Sequence, residues 1–125
     1  MTSAQAMVVS RIDELGGAPG GKGPPLQALA RRLSIQISAV THALKPLVRD
    51  GVVEIQVDPD DRRTKRAVLT AQGMKQTRQM YELWAGVNTR LDAALGAGAA
   101  QELRALSRRV ASPEFLAAMS LRKYD

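Results

Sequence analysis

The sequence predicts a mainly α-helical protein of the α+β class, in which one small β-hairpin interrupts a series of helices. Apolar residues recur three and four positions apart in most segments, which is the spacing of one helical face. Residues 53–57 instead alternate apolar and polar side chains, as a half-buried strand does. With 125 residues, 45% of them hydrophobic, the chain is long enough for one compact core.

The first predicted helix covers residues 3–15. Thr2 and Gln5 have the spacing of a capping box. The stretch GGAPGGKGPP that follows, residues 16–25, combines glycines with a proline pair, which cannot sustain a helix or a strand. We therefore expect a flexible loop there. The apolar face of the helix consists of Val8, Ile12 and Leu15.

Two further short helices, residues 26–33 and 38–49, form a helix-turn-helix pattern. Each has one apolar face, and a short turn that contains Ile35 joins them. Gly51 supplies a stop after the second helix. The apolar faces consist of Leu26, Leu29, Ala30 and Leu33 in the first helix and Val40, Leu44 and Leu47 in the second.

A β-hairpin follows directly, with strands predicted at residues 53–57 and 66–70. Val53, Ile55 and Val57 form the inner face of the first strand. The stretch DPDDRRTKR, residues 58–66, holds three acidic and four basic side chains at the tip. A helix-turn-helix followed by a basic hairpin is the winged-helix arrangement. Its second helix enters a major groove of DNA, and its wing reaches a neighbouring minor groove.

The remainder of the chain is predicted to be helical, with a seam for a partner helix. From residue 72, seam positions repeat every three or four residues over about two and a half heptads. GAG at residues 96–98 ends this helix, and Ser112 with Pro113 begins the last of two shorter ones. The seam consists of Thr77, Met80, Trp84, Val87, Leu91 and Ala94, and the later helices carry Leu103, Leu106, Val110, Phe115, Leu116 and Met119.

The net charge of +6 is concentrated in the middle of the chain. Residues 22–78 hold eleven Lys and Arg against five Asp and Glu, whereas the two flanks together hold seven of each. This distribution is typical of a centre that binds a polyanion. With no cysteine and one histidine, we expect no enzyme, no metal site and no cofactor. No membrane span or signal peptide is evident, so we expect a cytoplasmic protein without a membrane partner.

The string from Leu29 to Gly73 resembles the winged-helix core of the MarR family (multiple-antibiotic-resistance-type regulators). The likeness lies in LARRL, in the Val40-Thr41 pair, in DGVV before the wing, in DPDDRR at the wing and in LTAQG after it. It continues more weakly to residue 111. The resemblance implies a transcriptional regulator, usually a homodimeric repressor on a near-palindromic site in double-stranded DNA. Such regulators are often released by a small aromatic effector.

Three features depart from the family pattern. The family's long N-terminal dimerisation helix has no counterpart before TSAQAMVVSRIDELGG, so we expect a shortened dimer interface. Pro46 lies inside the second helix, where it removes one backbone hydrogen bond and is expected to kink the chain. The tail SPEFLAAMSLRKYD has no family counterpart, and we expect its apolar face to replace the missing helix.

The exposed face of the second helix is expected to read DNA. Gln36 and Ser38 suit adenine edges or phosphates, and Ala39 suits a thymine methyl. His42 or Lys45 suits a guanine edge. In the family pattern, Asp61 holds Arg63 while Arg63 enters the minor groove. Phosphate contacts are then expected from Arg62, Lys65 and Arg66 in the wing and from Arg49 on the helix. The expected DNA-binding set is Gln36, Ser38, Ala39, Thr41, His42, Lys45, Arg49, Asp61, Arg62, Arg63, Lys65 and Arg66, with Arg31 and Arg32 as further phosphate contacts.

We therefore expect a DNA-binding domain in residues 1–73 and a helical dimerisation region in residues 74–125. Tyr81 and Trp84 are candidates for lining the family's effector pocket. Two alternatives stay open: a winged-helix module that binds DNA without sequence preference or binds another protein, and a wing tip that is only a solvated charge cluster. The expected dimerisation residues are Met80, Trp84, Val87, Leu91, Phe115, Leu116 and Met119.

Overall fold

The computed structural model describes residues 1–123, without the side chains of Leu116 and residues 120–123, and this part contains six helices and one antiparallel hairpin. The predicted mainly helical fold class is confirmed. The chain divides into two compact units, the winged-helix unit (Met1–Glu82) and the C-terminal unit (Leu83–Asp125). The elements are α1 (Ser3–Glu14), α2 (Leu26–Leu33), α3 (Ile37–Arg49), β1 (Val53–Val57), β2 (Lys65–Leu69), α4 (Ala71–Leu95), α5 (Ala97–Val110) and α6 (Pro113–Lys123).

Helix α1 begins at the predicted capping box. The Gln5 N–H donates to Thr2 Oγ1 (3.1 Å), and the Thr2 N–H donates to Gln5 Oε1 (3.0 Å). Val8 and Ile12 are buried as predicted, but Val9 is the third buried side chain and Leu15 is exposed. The prediction is wrong at Leu15 because the helix ends at Glu14, so Leu15 has already left the helical face.

The helix-turn-helix is tight because α2 ends in a left-handed residue. Ser34 has a φ of 57°, and the Ile35 N–H donates back to the Ala30 carbonyl (3.1 Å). Helix α3 then begins at Ile37, one residue before the predicted start. It runs past Pro46 to Arg49, so the proline does not end the helix.

The core of the winged-helix unit combines side chains from three helices and the hairpin. Every apolar residue predicted for the inner faces of α2 and α3 is buried or half-buried there. In the hairpin, Val53 pairs with Leu69 and both are buried, whereas Val57, paired with Lys65, is exposed. The hairpin therefore rises out of the core towards its tip. The buried cluster consists of Val8, Val9, Ile12, Leu29, Ala30, Val40, Leu44, Leu47, Val52, Val53, Ala67 and Leu69.

The glycine-rich segment, residues 16–25, is held against the hairpin at both of its ends. The Leu69 N–H donates to the Gly17 carbonyl (2.7 Å), and the Ala67 N–H donates to the Pro24 carbonyl (3.0 Å). The prediction of a flexible loop is wrong for these ends, because the backbone groups of β2 supply partners that composition does not reveal. The segment therefore runs beside β2 and is hydrogen-bonded to it.

In the C-terminal unit, the described large apolar side chains are mostly exposed. Helix α4 ends at Leu95 and Gly96 follows it, close to the predicted break. The predicted cap of α6 is present, since the Phe115 N–H donates to Ser112 Oγ (3.2 Å). Ala100 is buried. The exposed apolar side chains include Leu83, Trp84, Val87, Leu95, Leu103, Leu106, Val110 and Met119. None of the helices within residues 1–123 is long and apolar enough to cross a membrane.

Candidate nucleic-acid interface

Helix α3 presents one polar, partly cationic face to solvent. Val40, Leu44 and Leu47 are buried on the opposite side, so the helical period of 3.6 residues turns Ser38 and Lys45 outwards. The predicted α3 residues Gln36, Ser38, Ala39, Thr41, His42, Lys45 and Arg49 are all exposed. The structure thus gives this part of the predicted set one accessible surface.

Two of the expected phosphate contacts have acidic neighbours. Arg49 Nε lies 3.2 Å from Asp50 Oδ1, and Arg32 lies 3.3 Å from Glu14 Oε2 across α1 and α2. All four side chains are substantially exposed. Exposed ion pairs contribute at most about 1 kcal/mol, so a phosphate can replace either carboxylate at little cost.

A groove joins the N-terminal half of α3 to the wing. It has a volume of about 280 Å³, and Thr41 lines it opposite Arg63 and Lys65. The Thr41 hydroxyl donates to the Ile37 carbonyl (3.1 Å), which fixes the side chain along the helix. Residues that are more than twenty positions apart in the sequence therefore share one concave surface. The other lining residues are Pro25, Leu26, Gln27, Ile37 and Thr64.

The wing tip is built around the Asp61 side chain. Its Oδ1 accepts the Arg63 N–H (3.1 Å) and lies 3.5 Å from Arg63 Nε, while its Oδ2 accepts the Thr64 hydroxyl (3.1 Å). The side chain of Arg63 is 94% exposed. Asp61 therefore shapes the turn that carries Arg63 and leaves its guanidinium open to a ligand.

Arg66 has a different environment from the rest of the tip. Its Nε donates to Asp58 Oδ2 (2.8 Å) and its Nη1 donates to the Gly23 carbonyl (2.9 Å). Its side chain is only 21% exposed. These bonds direct the guanidinium into the protein and connect it to the base of the wing. The expected phosphate contact of Arg66 stays a prediction. Arg62 and Lys65 are exposed, as expected of phosphate contacts.

Asp58 is the acidic partner at the base of the wing, and sequence reasoning missed it. The hydrogen bond from Arg66 lowers the pKa of the Asp58 carboxyl below its usual range, and the hydrogen bond from the Asp60 N–H acts in the same direction. The carboxylate is therefore ionised at neutral pH. The Asp58-Pro59 pair is a typical turn signal, but the sequence does not reveal the approach of Arg66.

A second hollow lies between α1 and the C-terminal half of α3. It has a volume of about 460 Å³, and its lining combines Val8 and Pro46 with His42, Lys45 and Arg49. Pro46 has no N–H, so the His42 carbonyl lacks the donor that an uninterrupted helix provides. His42, Lys45 and Arg49 are therefore exposed on α3 and also line this hollow.

Tyr81 and Trp84 do not line the groove or the hollow described above. The Tyr81 hydroxyl donates to Asp13 Oδ2 (2.9 Å). Burial, followed by the hydrogen bond to Asp13 and the charge of that residue, raises the pKa of Tyr81 to about 12. Trp84 belongs to the C-terminal unit and is 60% exposed. Their role in effector binding stays a prediction.

The expected dimerisation residues fall into different environments. Met80 packs against the core of the winged-helix unit. Leu91 and Phe115 are half-buried, whereas Trp84, Val87 and Met119 are exposed. The side chain of Leu116 lies outside the described part of the chain. Within the described residues, no group of three or more His, Cys, Asp or Glu is placed to hold a metal ion.

A model of the MarR family matches residues 1–65 of the chain. Among solved structures, a mutant MarR from E. coli complexed with operator DNA shares 27% identity with a TM-score of 0.72, covering 88% of this chain and 75% of that one. The PcaV transcriptional regulator from Streptomyces coelicolor, solved with its natural ligand, shares 24% identity with a TM-score of 0.72, covering 91% and 77%. No curated protein matches the chain.

Proposed function

We propose, from the premise that this chain belongs to the MarR family of DNA-binding transcriptional regulators, that it is a homodimeric repressor that reads a near-palindromic site. The observation that carries the proposal is the shared surface of α3 and the wing, where Thr41, Arg63 and Lys65 line one groove. A surface that combines exposed cations with exposed polar side chains suits both phosphates and base edges.

In the proposed complex, α3 enters the major groove. Gln36 and Ser38 contact adenine edges or phosphates, and Ala39 contacts a thymine methyl. His42 or Lys45 contacts a guanine edge. Thr41, which faces the wing, contacts the backbone or a base edge at the rim of the groove. The outward orientation of these side chains supports the assignment.

The wing then reaches the adjacent minor groove. Arg63 enters that groove while Asp61 holds its backbone turn, and Arg62 and Lys65 contact phosphates. A narrow minor groove concentrates negative potential and attracts inserted arginine side chains. The 94% exposure of the Arg63 side chain supports this role. With Arg49, Arg31 and Arg32, the wing cations supply the sequence-independent part of the binding energy.

A homodimer accounts for the near-palindromic site, because a two-fold protein axis places two recognition helices on two related half-sites. In this proposal, residues 1–73 bind DNA and residues 74–125 bring two copies together. The exposed apolar side chains of the C-terminal unit support the second assignment. A small aromatic ligand then releases the DNA, with Tyr81 and Trp84 proposed to line its site.

Selection of bound duplexes from a random-sequence pool, followed by titrations on a selected and a scrambled duplex, tests this function. We expect a preference for the selected duplex of roughly a thousandfold or more and a steep decrease of affinity with salt. Equal affinity for both duplexes would instead indicate a module that binds DNA without sequence preference. Transcription in vitro from a promoter that carries the selected site tests repression, since the transcript is expected to decrease as protein is added.

A further inference from the structure

At Gly23 the glycine-rich segment lies so close to the wing that no residue with a Cβ atom would fit. Gly23 has a φ of +78°, and a Cβ atom built on it would lie 2.2 Å from the Ala67 carbonyl oxygen. Its neighbours Pro24 and Pro25 pair with β2, at Ala67 and Arg66 respectively. This contact brings the Gly23 carbonyl to the base of the wing, where it meets Arg66.

The Arg66 side chain connects three segments of the chain. Arg66 lies on β2, its Nε donates to the Asp58 side chain directly after β1, and its Nη1 donates to the Gly23 carbonyl in the glycine-rich segment. The Asp58 side chain is only 6% exposed. The neighbouring Lys65, by contrast, is exposed and lines the groove towards α3. Two adjacent cations of β2 therefore have opposite environments.

Asp58 continues this connection to the wing tip. Its Oδ1 accepts the Asp60 N–H (2.8 Å), and its own N–H donates to the Thr64 carbonyl (2.9 Å). Thr64 in turn bonds to Asp61 through both its N–H and its hydroxyl. Asp61 accepts the Arg63 N–H. A continuous series of hydrogen bonds thus leads from the guanidinium of Arg66 to the backbone of Arg63.

We propose that Arg66 is a positioning residue that fixes the base of the wing to the glycine-rich segment and thereby sets the direction in which Arg63 is presented to DNA. The DNA-facing half of this inference rests on the proposed function. The two acid–base pairs of the wing then have separate tasks. The enclosed pair of Arg66 and Asp58 anchors the hairpin, and the exposed pair of Arg63 and Asp61 meets the nucleic acid.

The geometry requires arginine rather than lysine at this position. A guanidinium has five N–H donors in a rigid planar fork, so Arg66 donates to a carboxylate and a carbonyl in different directions at once. An ammonium group concentrates its donors on one atom at the end of a flexible stem. Arg66→Lys therefore keeps the charge and is expected to lose one of the two anchors.

A double-mutant cycle on DNA binding tests the proposal, with Lys65→Ala as the matched control. On a duplex selected by the wild-type protein, Arg66→Ala is expected to weaken binding roughly 5- to 100-fold, the range of the arginine contact that it supports. In an Arg63→Ala background the same change is expected to cost less than about twofold, because the residue it positions is already absent. Lys65→Ala is expected to cost the same in both backgrounds.

The salt dependence provides a second comparison within the same cycle. Removing Lys65 in the Arg63→Ala background is expected to flatten the slope by about one more charge. Removing Arg66 in that background is expected to leave the slope unchanged. If Arg66→Ala is additive with Arg63→Ala and flattens the slope by a further charge, Arg66 contacts a phosphate directly and the proposal is wrong.

Amide hydrogen exchange without DNA keeps the proposal testable if no sequence preference is found. In the folded Arg66→Lys protein, the Asp60, Thr64 and Ala67 amides are expected to exchange faster than in the wild type, while buried α3 amides are unchanged. Lys65→Ala is expected to leave all of them unchanged. Unaltered wing amides in Arg66→Lys would overturn the positioning role whatever the DNA result. Absence of duplex preference with faster wing exchange would overturn only the proposed function.

Discussion

At the scale of single residues, burial distinguishes the two acid–base pairs of the wing, because one is enclosed in the protein and the other is exposed to solvent. Asp58 with Arg66 and Asp61 with Arg63 have the same chemistry and lie within one nine-residue stretch. The first pair is enclosed and bonds to two backbone groups, the Asp60 N–H within the wing and the Gly23 carbonyl in the glycine-rich segment. The second is exposed, so its attraction is screened by solvent. The second pair is therefore the more accessible of the two.

The exposed pair gives a prediction for which two models of the wing expect opposite changes in DNA affinity. We expect Arg63→Ala to weaken specific binding by roughly 1–3 kcal/mol, and Asp61→Ala also to weaken it, because Arg63 loses the turn that presents it. If the wing acted only through its net charge, removal of an acid would make Asp61→Ala bind more tightly. Titration of both variants on one duplex at two salt concentrations distinguishes these results.

The Asp60→Ala variant is the matched control for that comparison. Asp60 is an exposed acid of the same tip, and its backbone N–H, which bonds to Asp58, stays in place after the change. We expect slightly tighter binding from the added positive charge. Circular dichroism confirms that each variant is folded. Tighter binding by Asp61→Ala, equal to that of Asp60→Ala, would contradict the role given to Asp61.

Tyr81 gives a prediction for alkaline pH. Its pKa is raised from 10.0 to about 12 in the folded protein, so the folded state holds the phenolic proton more tightly than the unfolded chain does. The stability from this group is therefore fully present below pH 10 and is lost as pH rises towards 12. Tyr81→Phe is expected to remove that part of the pH dependence, which urea unfolding at pH 8 and pH 11 measures. An equal change in the free energy of unfolding between pH 8 and pH 11 in both proteins would contradict the prediction.

How much of the site was predictable depends on the range of the interactions. The contact between Asp61 and Arg63 spans two residues, and the family pattern already implied it. The hydrogen bonds of Arg66 were not predicted, because its partners, eight and forty-three positions away, become neighbours only through the hairpin register and the approach of Gly23. A count of charges along the chain does not distinguish an enclosed cation from an exposed one.

At the scale of secondary structure, local rules located the helices well. Helix α2 has the predicted bounds and α3 begins one residue early, because the apolar period and the stop signals are local properties of the chain. The glycine-rich segment was predicted less well. Its composition excluded a helix correctly, but the hydrogen bonds to Ala67 and Leu69 come from a strand more than forty residues later.

The turn between α2 and α3 gives a prediction for stability. Ser34 adopts a left-handed φ of 57°, which costs a residue with a Cβ atom about 1–2 kcal/mol and costs glycine nothing. We expect Ser34→Gly to stabilise the protein by roughly 0.5–1 kcal/mol after the greater entropy of the unfolded chain is subtracted. Ser10→Gly, inside α1, is the control and is expected to destabilise it. Urea unfolding of both variants measures the difference, and destabilisation by Ser34→Gly would contradict the reasoning.

At the scale of the whole molecule, charge and apolar surface are separated along the chain. The excess of six positive charges lies within residues 22–78, all of which belong to the winged-helix unit. The C-terminal unit instead exposes large apolar side chains on each of its helices. A small monomeric protein rarely leaves so many apolar groups in water. One part of the chain is therefore suited to a polyanion and the other to a second protein surface.

We accordingly predict that the chain is a homodimer in solution and that Val87 on α4 contributes to the interface. Val87 is 48% exposed, and burying a glutamate in its place without a partner is strongly unfavourable. Val87→Glu is therefore expected to shift the protein to monomers in sedimentation velocity and to weaken binding to a duplex with two half-sites. Asn88→Glu adds the same charge at the next exposed position and is expected to leave the dimer intact. A wild-type protein that sediments as a monomer at micromolar concentration, yet binds the two-half-site duplex tightly, would show that the apolar surface of the C-terminal unit serves another purpose.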